Sequence, residues 1–221
     1  MLITVKTYPT ISSKYDELVC TAGFKEDGTW LRIYPVPFRK RSYAEQYKKY
    51  DWIELDLVNN TSDFRPESYR PTTLETSINL VEHINTDSNW EERKKFCLNK
   101  VYYNLSELIS EAKDKSICTS LAVFKPTEIL DFYAEAVERD WSDKQKAALA
   151  QRNLFENKFE VVKKLPYKFK FRFKDNQGKV SNMMIEDWET GQLYWISLRR
   201  RTRRQAVRRS KRMARHPLTR S

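Results

Sequence analysis

The feature that most constrains how this chain folds is a hairpin signal in its first forty residues. Two apolar alternating runs, 18–24 and 29–36, flank the turn Glu26-Asp27-Gly28. Asp-Gly between such runs is the strongest short-range hairpin signal, because glycine readily adopts the positive φ that a tight turn needs. The sequence therefore predicts an antiparallel strand pair, around which the other elements must pack.

The second strand of this hairpin places an unusual set of side chains on one face. Strand periodicity puts Leu31 and Ile33 on one side and Trp30, Arg32 and Tyr34 on the other. Aromatic rings beside a guanidinium can stack on a nucleobase or another planar ligand. A second interpretation stays open: a later helix or a second barrel wall covers the two rings, and the arginine forms a salt bridge.

Composition allows a folded core and excludes several classes of protein. Of the 221 residues, 40% are hydrophobic and 13% aromatic, so the body of the chain is not expected to be disordered. No stretch is long and apolar enough to span a membrane, and the first residues lack the pattern of a signal peptide. Three widely spaced cysteines fit reduced thiols, which predicts a cytoplasmic protein with neither disulfides nor a zinc site.

The net charge of +11 comes entirely from the C-terminal segment. Eleven of the 41 basic residues lie in 199–221, which has no acidic residue, so residues 1–198 hold 30 basic against 30 acidic residues. The segment uses ten Arg and one Lys, whereas the rest of the chain uses nine Arg and 21 Lys. Three interpretations are open: a frameshifted or otherwise non-native sequence, an arginine-rich arm that is helical on a phosphate backbone, and a solvated tail.

The same periodicities place the other elements. We expect strands at 2–8, 52–58 and 77–81, a helical turn from Ser42, a long loop at 59–72, helices at 90–103, 105–113 and 142–154, and short apolar segments at 120–124 and 128–133. Strict alternation predicts a strand at 167–174 with an aromatic inner face and a cationic outer face. A return strand at 179–185 and a helix capped by Asp187 follow it.

This order of strands, helices, strands and a final helix predicts an α+β fold. We expect one or two small OB-like or PUA-like β-barrels with helical insertions and a C-terminal hairpin plus helix. The predicted domains are an N-terminal β-barrel at 1–85, a helical insertion with the C-terminal hairpin and helix at 86–198, and the basic Arg-rich tail at 199–221.

Basic and aromatic residues interleave in two segments that fit contacts with nucleic acid. In the segment 38–52, cations would follow phosphates while the hairpin aromatics stack on bases. In the strand 167–174, successive cations on one face lie about 7 Å apart, close to the spacing of phosphates along a single strand, although any amphipathic surface strand shows that spacing. The predicted nucleic-acid-binding residues are Trp30, Arg32, Tyr34, Arg39, Lys40, Arg41, Lys48, Lys168, Lys170 and Arg172.

Evidence for catalysis is scarce in this sequence. It has two histidines, four scattered glycines and no phosphate-binding loop, so we predict no catalytic residue, no cofactor and no metal. Asp51, Glu54 and Asp56 are close enough in sequence to hold a divalent cation, as in a nuclease, but an exposed strand face explains them better. Cys20 lies within an apolar run, which indicates a buried thiol.

The hairpin motif also resembles that of a bacterial family of unassigned function, with V-C-x-A-G followed by W-[IL]-R-[IL]-Y-P-V. The matching positions are Cys20, Ala22, Gly23, Trp30, Arg32, Tyr34 and Pro35. The segment KFKFRF…MMIEDWETGQLYW, within 168–195, resembles the C-terminal part of the same family. More distantly, the hairpin is similar to dual OB-fold domains found near bacterial defence and DNA-processing genes. The resemblance implies a β-barrel of nucleic-acid-binding type and transfers no catalytic residue.

The predicted function is therefore non-catalytic binding of DNA or RNA, as an accessory subunit of a bacterial defence or DNA-processing system. One alternative is a protein-interaction or scaffold subunit that docks a larger effector protein through exposed aromatic residues. The other alternative is a metal-dependent nuclease. No membrane partner is expected, and the residues favour a protein without enzymatic activity.

Overall fold

The predicted hairpin forms and lies within the largest sheet of the protein. A computed structural model describes residues 1–11, 17–147 and 162–215, with only the backbone for 17, 203, 204 and 206–215. The strands of this sheet are β1 Leu2–Lys6, β2 Thr10–Ile11, β3 Glu17–Phe24, β4 Trp30–Val36, β5 Asp51–Glu54, β6 Leu57–Asn59, β7 Ser68–Pro71 and β8 Asn79–His83. Their order is β6-β7-β4-β3-β1-β5-β8, with β2 paired to β3.

The sheet curls into a half-barrel because two consecutive strands, β5 and β6, lie near opposite ends of it. β5 pairs with β1 and β8, whereas β6 pairs with β7, and only Leu55 and Asp56 join them. Five strand spacings would separate β5 from β6 by about 24 Å in a flat sheet. Two linking residues reach only about 10 Å, so the ends of the sheet must approach each other.

Two of the sequence predictions for this region are wrong. A single strand was expected at 52–58, but the chain turns between β5 and β6 so that each joins a different end of the sheet. The expected loop 59–72 contains β7, which pairs parallel to β4 through Ser68 and Tyr69. The parallel partner of a strand is set by tertiary structure, which a local pattern does not reveal.

Two glycines explain the close geometry of the hairpin. Gly28 has φ +77°, and the preceding Asp27 accepts hydrogen bonds from the N–H and the hydroxyl of Thr29. A Cβ at Gly23 would lie 1.8 Å from the carbonyl oxygen of Leu2, so β1 can approach β3 only where the side chain is absent. The hairpin predicted from Asp-Gly is confirmed.

The core of the half-barrel contains side chains from its strands and from the segment between β4 and β5. That segment forms two 3-10 turns, Phe38–Lys40 and Tyr43–Glu45, which confirms the helical turn expected from Ser42. Phe38 and Tyr47 are buried, with ring centroids 4.9 Å apart, and the Tyr47 hydroxyl lies 2.5 Å from Thr21 Oγ1. These aromatic rings therefore stabilise the core and are not available to stack on a ligand.

Three helices follow the half-barrel. α1 spans Asp87–Cys97, so it ends six residues before the expected end at 103, and α2 spans Leu105–Lys113 as predicted. The Asn104 side chain caps α2 by accepting from the N–H groups of Ser106 and Glu107. α3 occupies 143–147, and the rest of the helix predicted to residue 154 lies outside the described residues.

Two small sheets and a long helix complete the fold. β9 (Val101–Tyr102) pairs parallel with β10 (Val123–Phe124). β11 (Glu128–Ala136), β12 (Tyr167–Lys174) and β13 (Val180–Ile185) form an antiparallel sheet in that order. α4 (Trp188–Arg215) follows β13 directly. The described part of the protein is thus an α+β fold with a half-barrel, two small sheets and a C-terminal helix.

The first turns of α4 attach the C-terminal part of the chain to the half-barrel. Trp188 packs edge-on against Phe38 at 5.1 Å, and the buried ammonium of Lys6 lies over both rings, 4.3 Å from the centroid of Phe38. Lys49 forms an ion pair with Asp187. A Cβ at Gly191 would lie 2.2 Å from the ring of Tyr8, so this glycine allows the helix to approach the sheet.

Candidate functional site

The face of β4 that carries Trp30 and Arg32 is covered by a later part of the chain, and a cavity remains between the two layers. Residues from two segments, 99–102 and 117–122, face the β3–β4 hairpin across a partly open space of about 250 Å³. Its aromatic wall contains Phe24, Trp30 and Tyr102. The covered alternative raised by the sequence thus applies to this end of the strand, with space remaining between the two layers.

Arg32 contacts two residues that line the cavity, Ser120 and Glu67, and orients their polar groups. Its Nη2 donates to Ser120 Oγ at 2.9 Å and lies 3.8 Å from a carboxylate oxygen of Glu67. The Ser120 hydroxyl in turn donates to Glu67. Only 13% of the Arg32 side chain is exposed, so this guanidinium fixes the orientation of neighbouring groups instead of meeting phosphates in solvent.

Cys20 lies behind this network and is not poised to react. Its Sγ is 3.9 Å from Arg32 Nη1. Burial raises the pKa of the Cys20 thiol, and the nearby guanidinium only partly opposes that effect. A thiol with a raised pKa is a poor nucleophile at neutral pH.

The remaining polar group at the cavity with a free side chain is Asn99. Its amide lies beside the hairpin turn, 2.8 Å from the position that a Cβ on Gly28 would occupy. The opposite wall contains Cys118, whose φ of +54° is unusual for a residue other than glycine. The cavity is therefore lined by aromatic rings, an amide, a carboxylate, two hydroxyls and Lys100, whose ammonium lies over the Tyr102 ring at 4.7 Å.

The other predicted residues on the half-barrel do not join this cavity. Tyr34 is 36% exposed and forms interactions, as do Arg39 and Lys40. Arg41 donates to the Leu74 carbonyl, and its side chain is only 6% exposed. Lys48 is exposed, and its backbone N–H donates to Asp51. None of these five residues is among those that line the cavity.

The cationic strip on β12 faces carboxylates from β11. Lys170 forms an ion pair with Glu135, and Lys168 lies opposite the same residue in the register. Arg172 lies opposite Asp131. Because each cation has an acidic neighbour across the strands, the strip carries far less net charge than β12 alone indicates.

The other face of this sheet is apolar and incompletely covered. In the register, Phe132, Phe171 and Met183 form one row across the three strands, and between 39% and 52% of each side chain is exposed. Tyr194 of α4 packs on Phe169 at one end, and Phe124 packs on Phe173 at the other. Between these two contacts the apolar row is open to solvent.

Sequence reasoning missed a polar cluster that joins β5, β8 and α1. His83 Nδ1 lies 2.6 Å from Asp51 Oδ1, and Arg93 Nη2 lies 3.3 Å from His83 Nε2. The Arg93 guanidinium also stacks over the ring of Tyr50 at 3.9 Å. The partners are up to 43 residues apart in sequence, so no local pattern could have indicated them.

The carboxylates proposed for a cation site do not converge. Asp51 bonds His83 and the N–H of Lys48, whereas Glu54 lies beside Asn79. Within the described ranges, no group of three or more His, Cys, Asp and Glu side chains could hold a metal ion. None of the described helices is long and apolar enough to cross a membrane.

Comparison with known families divides the chain close to this cavity. Residues 1–99 match the family described as "Domain of unknown function (DUF8758)", and residues 100–214 match "Domain of unknown function (DUF8757)". The second match covers more than half of the chain. The chain belongs to the DUF8757 family. No curated protein and no solved structure matches it.

The DUF8757 match clarifies where the cavity lies. The hairpin and Glu67 fall in the part that matches DUF8758, whereas Tyr102 and Ser120 fall in the DUF8757 part. The cavity is thus formed where the two matched regions pack together. Ligand pockets occur preferentially at such junctions.

Proposed function

We propose that this protein binds nucleic acid without catalysing a reaction on it. The observation that carries the proposal is the C-terminal continuation of α4. From residue 199 to residue 215 the helix has ten Arg or Lys and no acidic residue. A basic excess confined to one helix on a neutral body is the charge distribution expected of a phosphate-binding element.

The helix has a suitable length and distribution of charge for this role. Seventeen residues at about 1.5 Å per residue extend about 25 Å, comparable to seven base pairs of duplex. At 100° per residue, seven basic positions fall within about a third of the helix circumference. They are 200, 201, 204, 208, 211, 212 and 215. A basic stripe of this kind would follow a phosphate backbone.

The family match bears on the origin of this segment. The DUF8757 match continues to residue 214, across most of the basic segment. This extent supports the arginine-rich arm over the foreign sequence among the three interpretations. The arm would act together with a half-barrel that we propose to be OB-like or PUA-like, in an accessory subunit of a bacterial defence or DNA-processing system.

The test compares two variants that each lose three cations. In the first, Arg200, Arg204 and Arg208 are changed to Gln; in the second, Lys168, Lys170 and Arg172 are changed to Gln. Binding to single- and double-stranded DNA and RNA is measured by fluorescence anisotropy over a salt series. For duplex DNA, the slope of the logarithm of the binding constant against the logarithm of salt concentration should become shallower by about 2.7 in the first variant. The reason is that each of the three phosphate contacts contributes about 0.9 to this slope.

The second variant serves as the matched control, since its cations are neutralised by β11. We expect its slope to change by less than about 1. Equal losses from both variants would mean that β12 contacts nucleic acid as much as the basic helix does. Absence of binding by the unaltered chain to all four nucleic acids would overturn the proposal.

The open apolar row on β11–β13 favours a second function, docking of a larger effector protein. Exposed apolar rows mark surfaces that bind protein. The outer strand β13, of sequence VSNMMI, carries no charged residue or proline that would discourage pairing with another strand. Such docking would depend weakly on salt concentration, whereas nucleic-acid binding would depend on it steeply. Phe132→Ser would weaken the docking and leave nucleic-acid binding unchanged.

A further inference from the structure

We propose that the cavity between the β3–β4 hairpin and residues 99–122 binds one unpaired nucleobase that carries an exocyclic amino group. The proposal rests on the nucleic-acid binding inferred above and assigns base recognition to a place distinct from the basic helix. Proteins that read single bases commonly take them out of the stack into a pocket of aromatic and polar side chains.

The walls of the cavity suit a flat aromatic ligand. Trp30 packs on Phe24 with ring centroids 4.1 Å apart, which holds the indole in a fixed orientation. Tyr102 is held by a hydrogen bond of 2.5 Å to Glu111. Tyr102 is only 7% exposed and lies under the Lys100 ammonium, so it forms a fixed wall. The half-buried indole of Trp30 provides the stacking surface, and because it is already anchored it loses little conformational entropy when a ligand binds.

The polar groups determine which bases are favoured. Glu67 accepts hydrogen bonds, and its position is fixed by Arg32 and Ser120. A carboxylate acceptor complements the amino group of cytosine or adenine and not the oxo group of uracil or thymine at the same position. Asn99 is exposed beside the turn and can donate and accept, so it can complete the contacts to the base edge.

The loop that closes the cavity carries local backbone strain. Cys118 adopts φ +54° without being glycine, and it lies between Ile117 and Thr119 in the cavity wall. Strained residues of this kind persist where the surrounding structure holds them and are concentrated at ligand sites. The loop hydroxyl of Thr119 is tied to Glu111 at 2.8 Å, which holds the wall in place.

The experiment uses eleven-nucleotide single DNA strands of thymine that differ only at the central position. That position is cytosine, thymine or an abasic residue, and binding by the full chain is measured by anisotropy at fixed salt. We expect the cytosine strand to bind roughly 5- to 150-fold more tightly than the abasic strand, from stacking worth about 1–3 kcal/mol. The affinity of the thymine strand should lie between those of the cytosine strand and the abasic strand.

Two variants and a control locate that preference. Trp30→Ala removes the stacking ring, and Ala122→Phe fills the cavity without removing any proposed contact. Tyr43→Ala removes an aromatic ring that is 88% exposed and outside the cavity. We expect both cavity variants, checked for folding by thermal unfolding, to bind the three strands equally, and the control to keep the preference.

The outcomes separate this inference from the proposed function. Equal binding of the three strands by the unaltered chain overturns base recognition and leaves backbone binding intact. A preference that persists in folded Ala122→Phe also overturns it. If none of the three strands binds, titration with cytidine and uridine alone tests the cavity. Tighter binding of cytidine that is lost in Ala122→Phe supports base recognition, and equal or absent binding overturns it. The proposed function fails only if single- and double-stranded DNA and RNA all fail to bind.

Discussion

The half-barrel and the three-stranded sheet of β11–β13 are both antiparallel in their main pairings, but they differ in how far their apolar faces are buried. The half-barrel curls until Ile3, Val19, Ile33 and Ile53 are buried against one another. The smaller sheet has no second wall among the described residues, and Phe132 remains 52% exposed. A sheet of three strands cannot curl to cover its own apolar face, so it needs another element to do so.

This difference indicates separate roles for the two regions. The half-barrel is the stable body that fixes the cavity and receives the first turns of α4. The smaller sheet contributes less to the stability of the protein than the half-barrel does, and its apolar row is exposed to solvent. Substitutions in the two regions should therefore differ in which property they change.

The largest effect is expected from truncation in the half-barrel. Ile33 is 1% exposed, and Ile33→Ala would remove packed apolar atoms and leave a cavity, which costs about 2–5 kcal/mol of unfolding free energy. Urea unfolding monitored by circular dichroism measures this change. A loss below about 1 kcal/mol would contradict the view that the half-barrel is the stable body.

An intermediate effect is expected at the joint between the regions. Burial disfavours the charge of Asp187, but hydrogen bonds from Lys49 and from the N–H of Thr190 outweigh it and lower the pKa of Asp187. Since its pKa is lower in the folded state, the stabilisation is present above the unfolded pKa and is lost as pH falls through the folded pKa. Asp187→Asn keeps a capping side chain and loses the ion pair.

We expect Asp187→Asn to cost about 1–2 kcal/mol at pH 7, and we expect that cost to shrink steadily as the pH falls below 3.8, the ordinary pKa of an aspartate. Urea unfolding over a series of pH values measures this change. A loss that is independent of pH would mean that packing of Trp188, and not the ion pair, holds α4 on the half-barrel.

The smallest effect on stability is expected on the open apolar row. Phe171 is 39% exposed, and Phe171→Ser should change the unfolding free energy by less than about 1.5 kcal/mol. It should at the same time reduce self-association, measured by light scattering at high protein concentration. A loss as large as that of Ile33→Ala would show that this row is as well packed as the half-barrel, which would remove the distinction.

The sequence predicted the parts of the fold that depend on local chemistry. Asp27-Gly28 predicted the β3–β4 turn, Asn104 predicted the start of α2, and strict alternation predicted β12. It did not predict β7 or the separation of β5 from β6, because these follow from which distant strands become neighbours. The period of two correctly placed Trp30 and Arg32 on the same face.

The candidate site was predicted less completely than the fold. The sequence identified Trp30, but the cavity beside it also needs Ser120 and Tyr102, about ninety and seventy residues later. The sequence predicts the cationic strip of β12 but not its ion pairs with Glu128 and Glu135, which belong to a strand some forty residues earlier. Charge read along one strand omits the strand that pairs with it.

The two-residue link between β5 and β6 has a consequence for how the protein folds. β5 pairs with β1, and β6 pairs with β7 on the far side of the sheet. Because only two residues join β5 to β6, forming one of these pairings brings the strands of the other pairing close together. The hairpin β3–β4 can form early because its contacts are local, whereas β1, β5 and β7 join it through contacts between residues far apart in sequence. Such non-local pairings slow folding. We therefore expect the half-barrel to assemble in one late, cooperative step after the hairpin has formed.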